Sequence, residues 1–188
     1  MKVDFEVFDD DWVFDKSNNL YVSRGLLSGK KAIDTANSLG LDLELHTERG
    51  FKTISHNEDL ESASYRQDIS PEVLNKGFVV VNSIWGVRVL LSGLQGPVKG
   101  SSCRLPGFED YLKFHDWAKS YDDVAWESLD NLGELVFDSK TNKYLITERF
   151  GTGHPALDDC TVVDEGFYKS GRSVAGSWEG IRPVAYKE

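Results

Sequence analysis

The chain is poor in cysteine, methionine and long apolar runs: it has 2 Cys and 1 Met in 188 residues. The longest apolar run, Phe78-Val79-Val80-Val81, stops at Asn82, far short of the ~20 apolar residues that a membrane-spanning helix needs. The opening Met1-Lys2-Val3-Asp4 lacks the charged-then-apolar layout of an export signal, so the expected location is the cytoplasm, with no membrane partner. Cys103 and Cys160 are far apart and neither belongs to a C-x-x-C pair, which sets aside the redox and zinc patterns built on that spacing. In a reducing compartment both are expected to be buried thiols and not a disulfide.

Signatures of catalysis are also missing. There is no G-x-S-x-G elbow, and Gly151-Thr152-Gly153 has neither the third glycine nor the lysine of a phosphate-binding loop. His46, His56, His115 and His154 form no i,i+4 pair of the kind that grips zinc on a helix. Asp15, Ser17 and Asn19, like Asp138, Lys140 and Asn142, touch on calcium-loop spacing. Each set lacks the central glycine and the closing acidic residue of such a loop, and so reads as turn chemistry. No metal and no cofactor is expected.

Basic residues are scarce as well: 21 Lys and Arg face 31 Asp and Glu, for a net charge of −10. A direct nucleic-acid binder needs the opposite balance, a Lys/Arg stripe along the phosphates. The negative charge suits a protein partner that is itself basic or nucleic-acid-binding. It also suits the plainer task of keeping an ordinary protein soluble.

What is present is core material, 40% hydrophobic and 12% aromatic residues including 5 Trp. A chain of this length buries enough surface to fold without disulfides or metals. The expected architecture is one α+β domain over 1–188, mostly antiparallel strands with two principal helices. Val3 to Val7 alternates apolar and acidic residues as a half-wet strand does. Trp12-Val13-Phe14 and Leu20-Tyr21-Val22 flank a polar turn and read as a hairpin. Ala32, Ile33, Ala36 and Leu39 recur at helical spacing between a capping Ser28 and a stopping Gly40. Leu41, Leu43 and Leu45 alternate as a strand; 55–70 reads as a polar loop, and Ser70-Pro71 opens a short helix. Phe78 to Val81 and Val87 to Leu91 read as strands on either side of a turn near Trp85-Gly86, and 93–107 as a connector. Phe108, Tyr111, Leu112, His115 and Ala118 mark a second helix across Glu109–Ser120. Glu134 to Phe137, Tyr144 to Thr147 and Ile181 to Tyr186 return to strand. Val13 to Tyr21 and Val136 to Tyr144 echo each other, both placing Asp and Asn around a turn, which shared hairpin chemistry explains.

One loop gathers groups that could do chemistry: His154, Asp158, Asp159 and Cys160. A cysteine nucleophile needs a base beside it and a lowered pKa; otherwise the segment is a loop turned by Pro155. Two acidic clusters offer more. Asp9, Asp10 and Asp11 lead the first, with Asp4, Glu6 and Asp15 around them. Asp116, Asp122, Asp123, Glu127 and Asp130 form the second, interleaved with Trp117, Tyr121 and Trp126. Interface centres favour aromatics and charged rims steer a partner of opposite sign. The candidate partner-binding residues are therefore Asp9, Asp10, Asp11, Trp117, Tyr121, Asp122, Asp123 and Trp126. The plainer reading is a helix end with its tryptophans in the core.

Three segments carry a resemblance: the hairpin Trp12–Tyr21 with the helix over 28–40, Ser102-Cys103-Arg104-Leu105-Pro106 ahead of Phe108-Glu109-Asp110-Tyr111, and Gly180-Ile181-Arg182-Pro183-Val184. Together they resemble the C-type-lectin-like fold in its bacterial and phage form without disulfides: its opening hairpin and first helix, the entry to its second helix, and its closing strand. The resemblance implies a ligand- or partner-binding module. It transfers no calcium site, because the Glu-Pro-Asn type of ligand motif is missing.

The leading expectation is a non-enzymatic acidic protein that binds, and inhibits, a protein partner in the manner of immunity proteins or phage counter-defence factors. A lectin-like domain recognising a glycan or receptor is the second expectation. A hydrolase or transferase built on the His154–Cys160 loop is the third.

Overall fold

The computed structural model describes residues 4–27, 29–40, 43–47, 50–54, 79–80, 84–130, 133–147, 160–163 and 179–186. Strands β1 (Phe5–Val7), β2 (Trp12–Asp15) and β3 (Leu20–Ser23) form an antiparallel meander. The closing strand β12 (Val184–Tyr186) pairs with β3, and β7 (Cys103–Arg104) completes the five-stranded order β1-β2-β3-β12-β7.

Both faces of β2, β3 and β12 are covered, so these strands read as largely apolar runs, whereas the edge strand β1 leaves Glu6 and Val7 exposed. Trp12, Tyr21 and Ala185 face one core with Ala32, Ala36, Val87, Leu90 and Leu91 of two helices. Val13, Leu20, Val22 and Val184 face a second core with Phe108, Tyr111, Phe114 and Trp117. Alternation along each strand assigns neighbouring side chains to opposite layers. Burying each large apolar side chain there contributes roughly 1.5–3 kcal/mol.

Helix α1 (Gly29–Leu39) ends at Gly40, whose φ of 67° is the left-handed stop expected of a C-terminal glycine. The capping role read for Ser28 lies outside the described residues. Helix α2 (Ile84–Gly93) corrects the strand expected over Val87 to Leu91. Val87, Leu90, Leu91 and Leu94 are buried, at the i, i+3, i+4, i+7 spacing of one helix face, while Arg88 and Ser92 are exposed. Two β-branched valines in a short apolar run favour a strand locally. Burial of the helical stripe against α1 decides otherwise.

Helix α3 (Phe108–Tyr121) is the expected second helix. Its Asp110 reaches back toward the Gly107 amide at the helix start, half of a capping box. The chain breaks at Asp122 and at once begins α4 (Asp123–Asp130), a helix the periodicity did not reveal. Strands β8 (Gly133–Asp138) and β9 (Lys143–Ile146) form a second hairpin, extended by β10 (Thr161–Val163) and, in parallel on β8, by β11 (Glu179–Gly180). A third sheet has the order β5-β4-β6, from Gly50–Ile54, Leu43–Thr47 and Val79–Val80. The polar 55–70 segment and the short helix expected after it lie outside the described residues.

The two echoing hairpins close by the same device. Asp15 Oδ1 accepts the Ser17 amide at 2.9 Å, and Asp138 Oδ1 accepts the Lys140 amide at 3.1 Å. Asn19 and Asn142 then sit at φ of 53° and 55°, a left-handed conformation that asparagine tolerates better than most side chains.

Buried beneath both hairpins is an ion pair. Arg182 and Glu134 are each 0% exposed, with Arg182 Nη2 donating to Glu134 Oε1 at 2.6 Å and Nε to Oε2 at 2.9 Å. Arg182 Nη1 donates to the Ser23 and Arg24 carbonyls at 2.6 and 2.8 Å, and its guanidinium lies 4.6 Å from the Phe114 ring centre. It links the end of β3, the hairpin β8–β9 and the approach to β12.

Candidate functional site

The β1–β2 connection is shaped by Asp9, whose Oδ1 accepts the amides of Asp11 and Trp12 at 2.9 and 2.8 Å. That turn puts Asp9, Asp10 and Asp11 on the surface. Just after β3, the Arg24 amide donates to the Asp11 carbonyl at 2.8 Å and Nη1 to the Asp10 carbonyl at 3.1 Å. The same guanidinium forks onto Asp122, Nε to Oδ2 at 2.8 Å and Nη2 to Oδ1 at 2.9 Å. Arg24 is therefore a clasp between the acidic turn and the α3–α4 junction.

Asp122 has two jobs. Besides meeting Arg24, its Oδ1 accepts the Val124 and Ala125 amides at 3.1 and 3.2 Å, capping α4. Burial pushes its pKa up, but the Arg24 hydrogen bond and the two amides outweigh that and hold the carboxyl below its usual value. Asp122 in turn raises Arg24.

The clasp gathers most of the residues expected at a partner surface on one corner. Asp9, Asp10, Asp11 and Asp123 are exposed there, with Tyr121 at 77% and Val124 at 61% exposure. Val7 and Phe8, which precede the acidic turn, are exposed too. Two residues are corrected. Trp117 is 6% exposed and packs on Phe5 and Phe114 with ring centres 5.3 and 5.9 Å apart; it is core. Asp122 is also 6% exposed, and its charge is committed to Arg24. Trp126 is half-buried, edge-on to His115 at 5.2 Å, with Lys119 Nζ 5.7 Å from its ring centre.

Arg24, Val7, Phe8 and Val124 escaped the sequence reading. An arginine next to a strand end carries no signal of a carboxylate 98 positions away. Phe8 followed directly by three aspartates was the available hint.

Of the loop considered for catalysis, His154, Asp158 and Asp159 lie outside the described residues. Cys160 is half-buried against the α3 core and Cys103 is buried; the two form no disulfide. Among the described residues no group of three or more His, Cys, Asp or Glu side chains is placed to hold a metal, and no helix is long and apolar enough to cross a membrane. Compared with protein-family models, curated proteins and solved structures, the chain matches none.

Proposed function

We propose that this protein is a non-enzymatic binding protein whose acidic corner engages and inhibits a basic, or nucleic-acid-binding, protein partner. The observation that carries the reading is the Arg24 clasp. It ties the exposed Asp9–Asp11 turn to the α3–α4 junction, where Tyr121, Asp123 and Val124 are exposed. Exposed carboxylates near exposed apolar and aromatic groups let the charge steer a cationic partner and the aromatic anchor it. Arg24 is already paired with Asp122, so it does not neutralise the exposed Asp9, Asp10, Asp11 and Asp123.

Affinity purification of the tagged protein from its host at ~0.05 and ~0.5 M salt tests this, since exposed charges are screened within about 8 Å at physiological ionic strength. A single basic protein retained at low salt, shed at high salt and lost from the Asp10→Lys/Asp123→Lys variant is the expected result. Retention by that variant, or no stoichiometric protein at either salt, overturns the reading.

A second reading is a lectin-like recognition domain. Its support is the side-by-side pairing of the closing strand β12 with the opening hairpin through β3. Binding to a glycan array, undiminished by the corner variant, is the result that favours it over the first.

A further inference from the structure

Apart from the acidic corner, a groove of about 940 Å³ runs between β7, the start of α3 and the hairpin β8–β9. Small-molecule sites span roughly 300–1,000 Å³. The groove reverses the sign of the molecule: Arg88, Arg104 and Lys143 line it against a single carboxylate, Asp110, in a chain of net charge −10. Among the described residues none of the three cations has a carboxylate within ion-pairing distance. Asp110 is the one acid among the lining residues, and its Oδ1 accepts the Asn18 side-chain amide at 3.1 Å, so three cations face a single carboxylate.

The walls are aromatic. The Arg104 guanidinium lies over the Tyr186 ring, 3.5 Å from its centre, which holds the fork at the groove instead of letting it sweep through solvent. Tyr144 and Phe137, both half-buried, stand 5.1 Å apart on the hairpin side. Guanidinium and ammonium groups bind phosphate oxygens, Arg as a fork and Lys as a point charge. Half-buried aromatic rings offer a face on which a flat ring can stack. A nucleic-acid strand is the wrong occupant, because a polyanion would meet the repulsion of the whole molecule beyond the groove.

We propose that the groove between β7 and the β8–β9 hairpin binds a small organic phosphate bearing a flat ring, in chemical class a nucleoside monophosphate. Arg88, Arg104 and Lys143 take the phosphate, and Tyr144 with Phe137 takes the ring. The site shares no residue with the acidic corner and stands independently of the proposed partner.

Calorimetric titration of the intact protein with the adenine, guanine, cytosine and uracil nucleoside monophosphates, with the matching nucleosides and with inorganic phosphate tests it. At least one nucleotide is expected to bind, with its nucleoside and inorganic phosphate each weaker by about tenfold or more. Arg88→Glu and Lys143→Glu, both at exposed positions, are expected to weaken the nucleotide by a similar factor while leaving thermal unfolding unchanged. Tyr144→Ala should weaken nucleotide but not phosphate, and Asp10→Lys/Asp123→Lys should change nothing. The proposal is overturned if none of the four nucleotides binds, if inorganic phosphate alone binds as tightly, or if both charge reversals leave affinity intact.

Discussion

Replacing Arg182 with methionine leaves a side chain of similar length but removes the partner of Glu134, which is 0% exposed. Removing one member of a buried pair costs about 3–5 kcal/mol, because the remaining charge is stranded away from water. The Ser23 and Arg24 carbonyls lose their donor as well, at roughly 1 kcal/mol or more for each that stays dry. The expected loss is therefore about 5 kcal/mol, a large share of the roughly 5–15 kcal/mol that holds a typical native protein together. For a chain of 188 residues, at about 2–4 °C per kcal/mol, it corresponds to a fall in Tm of roughly 10–20 °C. Urea titration followed by tryptophan fluorescence, with calorimetry beside it, reads both quantities. Glu134→Leu alone should also be costly, since it strands the guanidinium. The double variant Arg182→Met/Glu134→Leu should be more stable than Arg182→Met by about 2 kcal/mol, because no buried charge then remains. Single losses below about 1 kcal/mol, or a double variant whose loss equals the sum of the singles, would refute the argument that this pair is desolvated and mutually dependent.

Three more expectations rest on other parts of the molecule. Asp122→Ala should lose about 2 kcal/mol through the α4 cap and the Arg24 fork together, and Asp122→Asn about half as much because it can keep the cap. Asp122's depressed pKa means that its contribution is complete above the unfolded value of about 4 and is lost as pH falls through the folded value. Urea midpoints taken between about pH 7 and pH 3 should therefore fall more steeply for the wild-type protein than for Asp122→Asn, and parallel curves would sink the assignment. Burial pushes the Cys103 thiol up to about 11, against a smaller pull downward from Lys31. Iodoacetamide at about pH 8 should alkylate it roughly a hundredfold more slowly in the native protein than in urea. The folded state keeps a proton there that the unfolded chain releases, so this group's stability contribution should fall as pH rises from about 8.5 toward the folded value; equal alkylation rates in the two states would contradict the burial. A Cβ added at Gly96 meets Ser101 Oγ at 2.3 Å and the Ala185 Cβ at 2.9 Å, whereas one at Gly25 meets nothing within 4 Å. Gly96→Ala should cost about 1–3 kcal/mol and Gly25→Ala almost nothing, as urea midpoints will show; equal effects count against the close approach of that turn to β12.

Local chemistry was legible in the chain wherever its cause was local. Asp15 with Asn19, and Asp138 with Asn142, announce the two hairpin turns because their carboxylates cap amides two or three residues on. Gly40 marks the end of α1, and the spacing of Phe108, Tyr111, His115 and Ala118 marks α3, because each signal repeats within a few turns of one helix. The same reasoning misjudged Val87 to Leu91. Short valine-rich runs suit either a strand or a buried helix, and only the presence of α1 on the other side selects the helical stripe.

The candidate sites belong to the other category. Composition placed acid and aromatic residues near one another in the chain, yet it could not separate Trp117, sealed against Phe5 and Phe114, from Tyr121 one turn later in open solvent. Arg24 and Asp122 are 98 residues apart, and Arg182 and Glu134 are 48 apart. Any acid in this chain could have been the partner of any arginine until the sheet closed. The cationic groove likewise draws on α2, β7, β9 and β12, none of which carries more than one basic residue. Capping, turn formation and helical periodicity act over a few residues and are written in residue order. Ion pairing, burial and surface charge depend on distances through space, and those were decided when β12 and the β8–β9 hairpin packed against the opening strands.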